Sequence, residues 1–345
     1  MAKTGLITGA SGQDGAYLSQ FLLNRGYRVL GQVRPGAARP DARLRELGIA
    51  QHVQLVELDL FDLDALRRAM DQHCPDEVYN LAGPSSVAYS FEQPAEAIQV
   101  NALGAARLIE ALRLTGPGEV RFFQASTSEM FGSTTGAPQN ETTPFRPRSP
   151  YAVAKLFAHW QTISYREAYS LFGACGIMFN HESPLRQRRF VTRKITAELA
   201  EVKHGRRERV LLGNLDVHRD WGFARDFAEG MWLMLQQTEP KDFVLATGRL
   251  TSVRSLVERA ADVLGMRLRW SGKGTSEVGI DENSGGVVVA VDAALFRPAE
   301  LATTLGDAAH ARATLSWRPS IDIEELIAMM AEADERRLLE NRQLD

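Results

Sequence analysis

The sequence predicts an α/β protein built as a doubly wound parallel sheet, with a smaller α/β lobe at its C-terminal end. Three observations carry that expectation. Short apolar runs alternate with longer segments of helical period through the first half. A glycine-rich turn follows the first of those runs, and the strict alternation weakens after about residue 180. Strands interleaved with helices imply a parallel sheet covered on both faces. The expected division is 1–180 for the sheet domain and 181–345 for a lobe interleaved with it.

The first strand is expected at residues 6–8, just before the glycines, and the first helix at 16–25. Apolar runs place further strands at 28–33, 53–58, 77–81 and 120–124. Apolar residues at helical spacing place helices at 63–72 and 96–114, and a long one at 151–172. A strand-like run at 176–179 follows. In the second half, a polar loop is expected at 181–189, helices at 191–202 and 223–237, and a short strand at 210–212. Residues 271–286 are rich in Gly, Ser and Glu and read as an exposed loop, while 323–339 read as a closing helix.

The 345 residues are 44% hydrophobic and 24% charged, ordinary for a folded globular chain. A formal net charge of -3 offers no attraction to nucleic acid or anionic lipid, so phosphate binding must be local. Cys74 and Cys175 lie far apart without CxxC spacing, which predicts two small buried residues and neither a disulfide nor a metal site. No apolar run approaches bilayer length, and the N-terminus enters a strand too short for a signal peptide. The expected location is the cytoplasm, without membrane partners.

The turn after the first strand reads Gly9-Ala10-Ser11-Gly12-Gln13-Asp14-Gly15. Glycines spaced this way at the start of a βαβ unit allow a tight turn, close approach to a pyrophosphate, and packing of helix on strand. The bland alternative is a plain βα turn. The second strand ends in Gly31-Gln32-Val33-Arg34, and no acidic residue lies between Gly26 and Pro40. An acid there would hold the ribose 2′-hydroxyl of NAD, whereas Arg34, with Arg39 nearby, suits the 2′-phosphate of NADP. Asp59 and Leu60 after the third strand face the expected adenine, and Leu81 and Ala82 after the fourth pass beneath the middle of the cofactor.

Tyr151 and Lys155 stand one helical turn apart, so both project from one face. A lysine cation beside a phenol is expected to lower its pKa and let tyrosine act as a base. Of the seven tyrosines only Tyr151 has a lysine at that spacing. Upstream, the fifth strand ends in Ala125-Ser126-Thr127-Ser128-Glu129. A redox enzyme needs only a hydroxyl such as Thr127 here. Glu129 adds a carboxylate able to remove and return protons, the mark of lyase chemistry.

These segments resemble the GDP-mannose 4,6-dehydratases, extended short-chain dehydrogenase/reductases of Rossmann type. The resemblance runs through Pro75–Ala82, Ala125–Gly132, Pro147–Lys155, Phe179–Pro184, Phe190–Lys194, Leu212–Leu215, Arg219–Gly222 and Phe296–Glu300. It implies Thr127, Glu129, Tyr151 and Lys155 as catalytic residues and a homodimer or homotetramer. Gly9, Gly12, Gln13, Asp14, Gly15, Arg34, Asp59, Leu60, Leu81, Ala82, His181 and Arg186 would join Tyr151 and Lys155 around NADP. Ser85, Ser128, Asn180, Arg188, Lys194, Gly213, Asn214, Arg219, Arg297 and Glu300 would hold a GDP-sugar. No metal is implied.

Three segments depart from the family pattern. Arg186-Gln187-Arg188-Arg189 lacks the usual glycine, Gly83-Pro84-Ser85-Ser86 replaces Ala-Gln-Ser-His, and Arg34-Pro35-Gly36-Ala37 replaces a double arginine followed by serine. GDP-D-mannose is the expected substrate. The departures leave GDP-manno-heptose as an alternative, and NADP-dependent C4 epimerisation or reduction of a nucleotide-sugar as a further one.

Overall fold

The computed structural model describes residues 2–37, 41–116, 120–132, 138–295 and 303–344. Its strands begin with β1 (Thr4–Thr8), β2 (Arg28–Val33), β3 (Val53–Glu57), β4 (Glu77–Asn80), β5 (Arg121–Thr127) and β6 (Phe172–Met178). Then come β7 (Asn180–Glu182), β8 (Val210–Leu212), β9 (His218–Phe223) and β10 (Phe243–Leu245). The central sheet has seven strands in the order β10-β6-β5-β4-β1-β2-β3, all parallel. The chain starts in the middle at β1, winds outward through β2 and β3, and returns to β4. The strand order therefore reverses between β1 and β4, and a crevice opens there at the carboxyl ends of the strands, where such sheets bind ligands.

Helices flank this sheet: α1 (Gln13–Leu23), the short α2 (Ala42–Glu46), α3 (Leu63–His73), α4 (Val87–Glu92), α5 (Pro94–Ile98), α6 (Ala105–Thr115) and α7 (Pro150–Tyr169). A π-helical turn, Gln99–Gly104, joins α5 to α6 in one rod. The expected helix at 151–172 is shorter than its periodicity implied. Ser170 turns left-handed at φ 55, and Phe172 already pairs with Arg121 in the sheet. Cys175 is buried, but Cys74 is exposed, contrary to expectation, because it occupies the left-handed cap of α3 at φ 43.

The lobe contains α8 (Val191–Lys203), α9 (Ala224–Leu235), α10 (Val253–Val263), α11 (Ala309–Leu315) and α12 (Ile323–Leu339), with strands β11 (Leu250–Ser252), β12 (Leu268–Ser271), β13 (Val278–Asp281), β14 (Val287–Val291) and β15 (Thr303–Thr304). Two expectations fail here. Residues 181–189 are not loop throughout, because β7 pairs with β9. Residues 271–286 are not one exposed loop, because β13 lies between β12 and β14 in a second sheet. The lobe also reaches back: β10 completes the central sheet beside β6, and Trp232 of α9 donates its indole N–H to the Tyr27 hydroxyl at 3.0 Å. No helix among the described residues is long and apolar enough to cross a membrane.

Candidate active site at the carboxyl edge of the sheet

The turn from β1 into α1 is shaped by contacts only glycine permits. Gly9 has φ +70, and a Cβ there would lie 3.0 Å from the Ala82 Cα. A Cβ on Gly15 would come 2.5 Å from the Gly9 carbonyl oxygen. Helix α1 therefore starts tight against the strand edge, with no side-chain cap at Gly12. A helix start without a side-chain cap is an arrangement that favours a pyrophosphate. The loop is braced from the side by Gln32, which accepts from the Gly9 N–H at 3.1 Å and donates to the Leu58 carbonyl at 2.6 Å.

Beneath the crevice a buried polar ladder crosses the strand ends. Thr8 donates to Asn80 at 2.9 Å, and Asn80 donates to Gln124 at 2.8 Å. The Leu81 and Ala82 N–H groups both point into the Thr8 hydroxyl oxygen at 3.1 Å. Leaving these groups unmade would cost about 1–3 kcal/mol each, so the floor of the crevice is rigid.

Ser149 caps α7 by accepting from the Ala152 N–H at 3.1 Å, and Pro150 occupies the first helical position. That cap sets Tyr151 and Lys155 on the helix's buried face. The Lys155 ammonium donates to the Ala125 carbonyl at 3.0 Å, and burial brings its pKa down to about 8. The Tyr151 phenol is pushed up to about 12. Burial is the main cause, opposed by a hydrogen bond with Thr127 and reinforced by the Glu129 carboxylate. The expected lowering by Lys155 is absent: its ammonium is engaged by Ala125 and lies 6.0 Å from the Tyr151 ring centre. Without a further positive charge beside it, Tyr151 stays a hydrogen-bonding phenol at neutral pH.

A second strand end closes the crevice from the lobe. His181 of β7 donates from Nε2 to Asp14 at 3.0 Å, while its Nδ1 meets the Phe179 carbonyl at 2.7 Å and its ring stacks on Phe227. Burial alone would raise the Asp14 carboxyl, yet the His181 imidazole and Arg186 hold it at about 2. Burial lowers His181, but Asp14 outweighs it and the imidazole is raised. Gln13 stitches the same seam, donating to the His181 carbonyl at 3.0 Å and accepting from Ser183 at 2.7 Å. Arg186 stands 3.1 Å from the buried Glu182 carboxylate and stacks on Phe190. Its charge reaches Asp14, His181 and Tyr151 alike.

Residues 6–330 match the family described as GDP-mannose 4,6 dehydratase. The chain belongs to that family. A GDP-mannose 4,6-dehydratase of Sinorhizobium fredii is 46% identical over 347 residues, 99% of each chain. The human GDP-mannose 4,6 dehydratase is 44% identical over 336 residues, 95% of this chain and 90% of its own. Among solved structures, UDP-glucose 4-epimerase of Thermus thermophilus, a complex with NAD, superposes with a TM-score of 0.78 at 25% identity, covering 96% of this chain and 98% of its own. A dTDP-glucose 4,6-dehydratase of Streptomyces venezuelae gives 0.81 at 21% identity over 97% of this chain and 98% of its own, and so shares the fold.

Against the pattern of the GDP-mannose 4,6-dehydratase family, Gly83 and Ser86 acquire structural reasons, while nothing in the structure explains Gln187 or the Arg34–Ala37 segment. Gly83 has φ +144, and a Cβ there would collide with the Asn101 side-chain oxygen, so the usual alanine is excluded. Ser86 is the cap of α4, accepting from the Tyr89 N–H at 3.2 Å, while Ser85 is exposed. Arg188 bonds Glu201 of α8 at 2.8 Å. Arg189 lies over the Tyr89 and Phe190 rings.

The other expected contacts are scattered over the lobe's edge and the rim of the central sheet. Asn180 and Lys194 are half-buried at the starts of β7 and α8, and Ser128 is buried behind Thr127. Gly213 is half-buried, and exposed Asn214 uses its side-chain oxygen to accept from the Asp216 N–H at 3.0 Å. Arg219 is buried and donates to the His218 carbonyl at 2.9 Å. Asp59 accepts from the Phe61 N–H at 2.9 Å, Leu60 is buried, and Arg34 is exposed at the end of β2. Arg39, Arg297 and Glu300 lie outside the described residues.

Sequence reasoning missed Gln32 and Arg43. Arg43 of α2 is buried and donates from Nε to the Leu185 carbonyl at 2.7 Å and from Nη1 toward the Ser11 carbonyl at 3.4 Å. Its only signal was a charged residue among the apolar positions of a short helix.

Proposed function

We propose that this protein dehydrates GDP-D-mannose to GDP-4-keto-6-deoxy-D-mannose, with NADP as its resident cofactor. The observation that carries the reading is the meeting of two elements in a chain of this family: the end of β5, where the Thr127 hydroxyl accepts from the Glu129 N–H at 3.3 Å, and the start of α7, whose Lys155 donates to the Ala125 carbonyl of that strand at 3.0 Å and whose Tyr151 hydrogen-bonds with Thr127. The glycine cradle and the uncapped start of α1 fit a dinucleotide pyrophosphate. A nicotinamide there supplies the acceptor and donor of one hydride. Arg34, with no acid competing on β2, favours the NADP form.

Tyr151 would receive the C4 hydroxyl proton as its phenolate, the form that the positive charge of a bound oxidised nicotinamide favours, while Thr127 steadies the C4 oxygen. Lys155, buried beneath, holds a ribose hydroxyl. Once C4 is a carbonyl, the C5 proton is acidic, and Glu129 removes it. The same carboxyl then gives a proton to the C6 hydroxyl, which leaves as water; with the hydride returned to C6 from a bound nicotinamide, Tyr151 would give its proton to C5, completing the 4-keto-6-deoxy sugar. Arg219 and Lys194, with Arg297, serve the diphosphate, and Glu300 a ribose hydroxyl. Elimination is favoured over epimerisation or reduction because those reactions have no use for Glu129. The heptose reading gains nothing from Arg188, whose guanidinium is held by Glu201.

The protein also forms a homo-oligomer in this reading. Exposed Ile98 and Leu103 on the α5–α6 rod, and Val153, Phe157 and Trp160 on α7, form the apolar face that a second copy would cover. Incubating the purified protein with GDP-mannose and identifying a 4-keto product by mass tests the reaction. Identifying the dinucleotide released on denaturation tests the cofactor, and mainly NAD would remove Arg34 from its role.

A further inference from the structure

A chain of buried charges runs from the C-terminal helix to the crevice, and none of its members has a part in the chemistry. The Asp334 carboxylate of α12 accepts from Arg193 Nε at 2.9 Å, from the Thr196 hydroxyl at 2.7 Å and from Arg337 Nη1 at 3.1 Å. Arg337 reaches on to Glu46 of α2 at 2.9 Å, and Arg342 meets the same carboxylate at 3.0 Å. Asp334, Arg193 and Arg337 are each about 4% exposed. Ion pairs this deep recover little net stability over an apolar core of equal volume, because desolvation offsets the attraction.

Both ends of the chain grip backbone at the crevice. Arg193 Nη1 donates to the Arg186 carbonyl at 2.5 Å. At the other end, Glu46 shares α2 with Arg43, which holds the Leu185 and Ser11 carbonyls. Residues 185 and 186 and the phosphate turn are thus tied to one frame built from α2, α8 and α12. Arg186 is the residue of that segment whose charge acts on Asp14, His181 and Tyr151.

We propose that Arg193 and Asp334 are positioning residues: they hold residues 185–190, and through them the Arg186 guanidinium, against the phosphate turn so that the crevice is set before its ligands arrive. The role rests on the dinucleotide-binding reading above. Neither residue touches the reacting atoms; both act through Arg186.

Arg193→Lys is the sharpest test, since it keeps a cation opposite Asp334 but gives up the arm to the Arg186 carbonyl. The dissociation constant for NADP+ should rise roughly tenfold with kcat changed less than about threefold. In an Arg186→Ala background the same substitution should add almost nothing, because the arm it removes no longer positions anything. Asp334→Asn should follow the same pattern if it folds. Additive losses in the cycle, or a fall in kcat with unchanged NADP+ binding, would overturn the proposal.

A second signature needs no ligand. Arg186 bears down on the His181 imidazole, so releasing it with Arg193→Lys should move the His181 titration upward by NMR. An unmoved titration counts against the proposal. Wild-type protein that binds neither NADP+ nor NAD+ would sink the dinucleotide reading, and the NMR titration would then judge the positioning role by itself.

Discussion

The two halves of the molecule meet at one crevice but are built by different means. On the sheet side, the groups sit on strand ends and a capped helix start, braced by the Thr8–Asn80–Gln124 ladder and by glycines with no spare volume. On the lobe side, the facing residues hang on three-residue strands and turns, held by ion pairs such as Arg186–Glu182 and Arg188–Glu201. A rigid edge suits atoms that must be placed to a fraction of an ångström for proton transfer. A pinned loop suits a ligand that must enter and leave. Under the proposed function this contrast assigns the chemistry to the sheet and the grip to the lobe, so substitutions on the two sides should separate kcat from KM.

The largest effect should come from the sheet side. Tyr151→Phe removes a proton acceptor with little loss of packing, and kcat should fall by roughly a hundredfold to ten-thousandfold while GDP-mannose still binds. Glu129→Gln should stop at a later point, with oxidation at C4 allowed and elimination stalled, so that reduced nicotinamide accumulates and is seen by absorbance. Normal dehydration by the Gln variant would give the C5 proton to another residue and break the assignment of chemistry to β5.

A lobe substitution should look different. Lys194→Met is expected to raise KM for GDP-mannose about tenfold with kcat nearly unchanged, as for loss of a charge-assisted contact to phosphate. Steady-state kinetics decide it, and a fall in kcat of the same size would erase the distinction between the halves.

The seam between them carries the next effect. Asp14, held at about 2, contributes stability above its usual 3.8 and loses it as pH falls. His181, raised above 6.5, contributes below that value and loses its share as pH rises through its raised pKa. The pair is therefore complete between those limits. His181→Gln should cost roughly 2 kcal/mol at about pH 5.5 and clearly less at about pH 9. Thermal unfolding at both pH values checks this, and an equal cost at both would mean that the imidazole is neutral throughout.

The smallest effect belongs to the exposed rim. Arg34→Ala should weaken NADP+ by roughly 1 kcal/mol, about fivefold, and leave NAD+ binding unchanged, as measured by titration. Equal weakening of both would assign Arg34 to structure and not to cofactor choice.

Local chemistry made much of this legible in advance. The glycine turn, the second strand at 28–33 and the Tyr151–Lys155 spacing each depend on residues close together in the chain, so periodicity and turn chemistry report them directly. The β12–β13–β14 sheet was not legible, because β12 and β13 are only four residues long and mix polar with apolar residues, and only pairing with one another and with the apolar β14 stabilises them. Gly83 looked like a departure until Asn101, distant in sequence, was found against it.

By itself, the sequence determined the parallel sheet and the glycine turn and pointed to the side chains proposed as reactive, because backbone propensity and side-chain chemistry are local properties. Only the tertiary structure decided their electrostatic state. Burial raised Tyr151 against expectation, Ala125 engaged Lys155, and His181 came to Asp14 from 167 residues away. Desolvation and ion pairing depend on what the folded chain brings within a few ångströms, and sequence spacing carries no record of that distance.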